Sequence, residues 1–88
     1  MNFYQIHYTI ADNGEFQYPA QVRNVVWKNT HYHNSEHFML AESDQNVQAD
    51  GKDVVQLTED QARALLDRIL RSYPAPPREE RQLQPPQR

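Results

Sequence analysis

Eighty-eight residues with no cysteine, nine basic and twelve acidic side chains and a net charge of −3 describe one small acidic domain without a disulfide framework. No apolar run approaches the roughly 18 residues of a membrane span, and Met1–Ile10 has neither the basic n-region nor the apolar h-region of a signal peptide, so a soluble, cytoplasmic protein is expected. With only two glycines, Gly14 and Gly51, the chain has no phosphate-cradling loop or dinucleotide fingerprint.

Asn2–Ile10 alternates, with Tyr4, Ile6, Tyr8 and Ile10 on one side and Phe3, Gln5, His7 and Thr9 on the other, as in a half-buried strand. Asp12-Asn13-Gly14 follows. Asn-Gly between alternating runs predicts a type I′ hairpin turn, because both residues tolerate positive φ. Glu15–Tyr18 is then the returning strand, and Pro19 ends it or places it at a sheet edge.

Ala20–Lys28 fits either element. Val22, Val25 and Val26 match a helical stripe, but β-branched residues and Trp27 in so short a segment favour a strand. Polar residues around Asn34-Ser35 make a turn, and Glu36–Glu42 alternates again, so a second hairpin is expected. Ser43–Asp53 contains Asp44, Asn46, Asp50 and Gly51 with Val47 as its one large apolar residue, the pattern of a mobile acidic loop. Val54–Leu57 suits a short edge strand.

The strongest periodicity lies in Thr58–Tyr73. Ala62, Leu65, Leu66, Ile69, Leu70 and Tyr73 form one continuous stripe on a helix. Thr58 and Gln61 have capping-box spacing, Leu57 and Ala62 can staple the entry, and Pro74 stops the helix at Tyr73. Strands first and one amphipathic helix last indicate an α+β fold: a three- or four-stranded antiparallel sheet packed against one C-terminal helix, over residues 1–73.

Residues 74–88 hold five of the six prolines, three arginines and one large apolar residue, Leu83, the composition of a disordered tail. Pro74-Ala75-Pro76-Pro77 has PxxP spacing, although Glu79 stands where a class II SH3 ligand wants a basic residue. The charge is divided. Residues 1–62 carry nine acidic side chains against Arg23, Lys28 and Lys52, and residues 63–88 carry six arginines against Asp67, Glu79 and Glu80. An acidic body repels nucleic acid and favours basic protein surfaces.

Catalysis finds little support. Ser35, Ser43 and Ser72 sit in no nucleophile elbow, and Glu59 and Asp60 serve the first turn of the helix. His31, His33 and His37 are the one local gathering of metal ligands, suited to zinc or nickel, with copper a further candidate. His-x-His resembles the metal-binding strand of cupins, but the chain is too short for their double-sheet barrel and no role carries over. Nucleic-acid binding would use Arg63, Arg68 and Arg71 with the tail, yet Arg63 and Arg71 both have Asp67 at i, i+4 as a partner.

The leading expectation is therefore a non-catalytic protein-binding module: a small adaptor, regulator or inhibitor of the kind bacteria and phages encode. With one sheet face under the helix, Phe3 and Trp27 should project from the other and meet a partner or a second copy of the chain. Glu36, Glu42, Asp44, Asp50 and Asp53 would engage a basic surface.

Overall fold

The computed structural model describes residues 1–73; the expected disordered tail, 74–88, lies outside the described residues. Strands β1 (Asn2–His7), β4 (Asn29–His33), β5 (Phe38–Ser43) and β6 (Val54–Leu57) form an antiparallel sheet in the order β4-β5-β1-β6. Strands β2 (Thr9–Ile10) and β3 (Phe16–Gln17) form a separate two-stranded ribbon. Helix α1 (Glu59–Ser72) follows β6, so the fold is α+β with a four-stranded antiparallel sheet and one C-terminal helix. Among the described residues no helix is long and apolar enough to cross a membrane.

The ends of α1 follow from local chemistry. Thr58 Oγ1 accepts from the Gln61 backbone N–H (3.1 Å), and Gln61 Oε1 accepts from the Thr58 N–H (2.9 Å), which satisfies two otherwise unpaired donors. Tyr73 turns extended (φ −80°, ψ 141°), as the residue before a proline must. The stripe is narrower than its periodicity indicates: Ala62, Leu65 and Ile69 are buried and Leu66 partly so, but Leu70 and Tyr73 are 53 % and 44 % exposed.

This helix covers Phe3, Phe38, Leu40 and Leu57. Phe3 thus lies beneath the helix and not on the opposite face, because it is Tyr4 and Ile6 that alternate to the other side of β1. The opposite face is not free either. Tyr4, Ile6, Met39, Ala41 and Val54 are buried there under Val22 and Val47, with Tyr18, Val25, Trp27 and Tyr32 packed against them. Every residue from Phe38 to Ala41 is consequently buried, as in a strand covered on both sides.

Three local expectations change. The first strand ends sooner than its alternation indicates: the Tyr8 N–H makes one more in-register bond, to the His37 carbonyl (3.0 Å), and Thr9–Ile10 then leaves the sheet to form the separate ribbon with β3. At the Asn13-Gly14 turn only Gly14 has positive φ (87°), and Gly14 N–H donates to the Ala11 carbonyl (2.8 Å) while Ala11 N–H donates to Glu15 (2.9 Å). These bonds define a type I turn with a G1 bulge and not a type I′ turn. Ala20–Lys28 is not a strand: it is a 3₁₀ turn (Ala20–Val22) followed by an irregular run that lies over the sheet.

The Ser43–Asp53 loop is pinned rather than loose. Val47 is buried and its N–H donates to Tyr4 Oη (2.9 Å). Asp50 Oδ1 accepts from the N–H groups of Lys52, Asp53 and Val54 at 2.8–3.0 Å, which folds the chain into β6.

Replacing Ile69 with alanine removes a fully buried side chain and should lower the unfolding free energy by about 2–5 kcal/mol, whereas Leu70→Ala should change it by less than about 0.5 kcal/mol. Urea denaturation of the two variants checks this, and equal losses would show that the helix rests on a different stripe.

Candidate functional site

Covering a sheet with an irregular segment leaves gaps that a helix would fill. Pro19 stops the β3 strand and begins the 3₁₀ turn, which sends Val22 inward to contact Met39 and Ile6 at the sheet surface. Trp27 returns onto Tyr4, their rings meeting edge-on with centroids 6.3 Å apart. Between Trp27 and the β2–β3 ribbon an open cleft of about 320 Å³ remains. Val22 and Met39 form its buried floor, Tyr18, Trp27 and Tyr32 its aromatic walls, and the exposed Arg23 stands at its rim beside Val25.

An aromatic cluster props one side of this cleft. Tyr8 stacks on Phe16 (4.5 Å, 11°) and on His37 (5.7 Å, 24°), and Tyr32 meets Tyr8 edge-on at 5.7 Å. The Tyr18 and Tyr32 hydroxyls share a 2.8 Å hydrogen bond. Burial, then that bond to Tyr32, pushes the Tyr18 phenol well above its ordinary value. Burial also raises Tyr8, with smaller contributions from the Tyr32 and Tyr73 phenols. These hydroxyls therefore stay protonated at neutral pH and act as hydrogen-bonding groups.

The histidines do not converge. His33 is buried on the helix side, stacked on Phe38 at 4.9 Å, with Nδ1 accepting from the Glu36 backbone N–H (3.2 Å). His31 is paired with Leu40 on the same face, half-buried. His37 takes positive φ (59°) in the β4–β5 turn, and its ring stacks on Tyr8 on the other side of the sheet. Among the described residues no group of three or more His, Cys, Asp or Glu could hold a metal, so the zinc or nickel arrangement on His31, His33 and His37 is not formed.

The five acidic candidates are likewise dispersed. Glu36, in the β4–β5 turn, pairs with Arg68, whose guanidinium lies 5.4 Å from the Phe38 ring centroid. Asp44 lies past the far end of six-residue β5, about 20 Å from Glu36 at strand rise, and pairs with Lys28 at 3.0 Å. Asp50 holds its own loop and accepts from Gln21 Nε2 (3.2 Å). Glu42 lines a shallow groove with Phe3 and Leu66, and exposed Asp53 contributes its backbone carbonyl to His7 N–H (2.9 Å). Three of the five carboxylates are thus held within the chain. The helix arginines are too: Arg63 pairs with Glu59 (3.0 Å) and Arg71 with Asp67.

Of the residues expected at a site, only Trp27 lies in the cleft; Tyr18, Arg23 and Tyr32 were not expected there. The legible signal was the crowding of Val22, Val25 and Trp27 between Pro19 and the next polar turn, in a segment with too few alternating residues for a strand. Comparison with protein-family models, with curated proteins and with solved structures finds no match to this chain.

Asp50 gives a pH test of the loop that borders this cover. Backbone N–H groups, Val54 and Lys52 first, lower its carboxyl from 3.8 to about 2. Its folded value lies below its unfolded one, so the stabilisation is present above pH 3.8 and lost as pH falls toward about 2. The urea midpoint of the native protein should drop over that window more than that of Asp50→Asn; equal drops would mean the loop does not depend on this charge.

Proposed function

We propose that the protein is a non-catalytic protein-binding module whose cleft takes an extended, proline-containing segment of a partner protein. The observation that carries this reading is the set of three aromatic walls, Tyr18, Trp27 and Tyr32, around an open cleft with Arg23 at the rim. Aromatic-lined grooves suit proline rings, because a chain restrained by proline loses little entropy on docking and the flat rings offer large contact areas. Arg23 adds a cation for an acidic residue beside the prolines.

The lining supports binding over chemistry. Its seven residues include no carboxylate, imidazole, thiol or aliphatic hydroxyl, and burial and the bond to Tyr32 keep the Tyr18 phenol protonated. With the second sheet face covered and three acidic candidates engaged internally, recognition moves from the sheet and acidic surface to this cleft. A small cytoplasmic adaptor, regulator or inhibitor fits such a site.

Trp27 is the sole tryptophan and lies in the cleft, so its emission reports occupancy. Titration with a synthetic peptide containing two Pro-x-x-Pro units followed by Glu-Glu should give a saturable change, and Tyr32→Ala should weaken it about tenfold, which corresponds to about 1.4 kcal/mol. No saturable change up to millimolar peptide, or binding indifferent to Tyr32→Ala, contradicts the proposal.

A further inference from the structure

We propose that the cleft selects its ligand by what the ligand's backbone lacks: it takes residues without an N–H, and the Tyr18–Tyr32 hydroxyl pair donates to the carbonyl that precedes one of them. Prolines and other N-substituted residues meet that condition. This rests on the reading of the cleft as a site for proline-containing segments, and it adds the chemistry that tells such a segment from an ordinary extended one. Aromatic walls alone do not make the distinction, since a flat ring packs against any apolar side chain.

The first observation is a proton left over. The Tyr18 and Tyr32 rings both line the cleft, and their hydroxyls lie 2.8 Å apart. Two hydroxyls bring two protons to one shared hydrogen bond, so whichever oxygen donates, the other keeps an O–H to give. Among the described residues neither hydroxyl has a second partner. Burial holds the Tyr18 phenol protonated, so the pair does not become an acceptor at neutral pH. A ligand that covers the cleft shuts water out, and it must then supply the acceptor itself.

The second observation is the balance of the remaining lining. The Arg23 guanidinium and the Trp27 indole N–H donate and cannot accept, and the two phenol oxygens are the only side-chain oxygens among the seven lining residues. One of those oxygens already accepts within the pair. An ordinary amide entering here brings an N–H to a surface of donors, and that hydrogen gives up water without gaining a partner. The amide before a proline brings its carbonyl oxygen alone. The cleft is matched to such a backbone by hydrogen-bond sense as well as by shape.

The test titrates the native chain calorimetrically with three versions of the Pro-x-x-Pro/Glu-Glu peptide: with its prolines, with alanine in their place, and with N-methylalanine, which has neither ring nor N–H. Alanine should weaken binding about tenfold, and N-methylalanine should stay within about threefold of proline. Tyr18→Phe and Tyr32→Phe keep the ring walls and each leave one hydroxyl able to donate. Either alone should weaken the proline peptide about twofold, and the two together about tenfold. N-methylalanine binding as weakly as alanine overturns the inference and leaves proline rings as the feature recognised, so the proposed function stands. A double variant that binds like the native chain, or a single variant that already shows the whole loss, overturns the role of the shared pair. Failure of the proline peptide itself to bind removes the proposed function and this inference together.

Discussion

The structure depends on burying one strand from both sides. Phe38, Met39, Leu40 and Ala41 are consecutive, and a strand sends consecutive side chains to opposite faces. Phe38 and Leu40 therefore need one cover, and Met39 and Ala41 need another. Strand β1 has the same requirement, with Phe3 on the helix side and Tyr4 and Ile6 on the other. Helix α1 is the only element among the described residues able to lay a regular apolar stripe over a sheet, and it serves one face alone. The second face has to be covered by whatever chain remains, which is the ribbon, the 3₁₀ turn, Trp27 and Val47.

That second cover is held by polar bonds rather than by a ladder. Val26 N–H donates to Gln45 Oε1 (2.6 Å), Ser43 Oγ–H to the Val26 carbonyl (2.9 Å), and Lys28 N–H to the Glu42 carbonyl (2.7 Å). Backbone groups that would pair in a strand are thus satisfied one at a time, by the Gln45 and Ser43 side chains and the Glu42 carbonyl. Irregular backbone of this kind cannot close over a sheet as tightly as interdigitated helix side chains do. The aromatic cleft is the residual space, and its walls are the same rings that complete the core. Stability and the proposed recognition therefore share side chains, with Tyr32 and Trp27 packed against the core and lining the cleft together.

Much of the scaffold was legible in the sequence because its signals are local. The capping box at Thr58 and Gln61, the stop at Pro74 and the short strand at Val54–Leu57 each rest on residues within one turn or strand of one another. Leu70 belongs to the same periodicity as Ile69 but stays outside the core cluster and exposed, which the spacing alone does not reveal. The open-face expectation failed for a different reason. It treated the alternation of Phe38–Ala41 as an inside and an outside, although four apolar residues in succession are also the pattern of a strand with two insides. The histidine grouping failed because neighbours on a strand and its turn can lie on opposite faces, as His33 and His37 do. The cleft was hidden because its walls come from Tyr18, Trp27 and Tyr32, whose proximity is created by the sheet order and not by spacing along the chain.

The central claim is that the chain itself covers the face opposite the helix, and the two methionines test it directly. Met39 lies on that face and is 2 % exposed, whereas Met1 is 58 % exposed and serves as the internal control. Treatment with dilute hydrogen peroxide under native conditions, followed by peptide mass spectrometry, should show rapid sulfoxide formation at Met1 and protection of Met39 that is lost in denaturant. Oxidation of both at comparable rates in the folded protein would mean that the face lies open, and the two-sided cover and the cleft built from it would have to be abandoned.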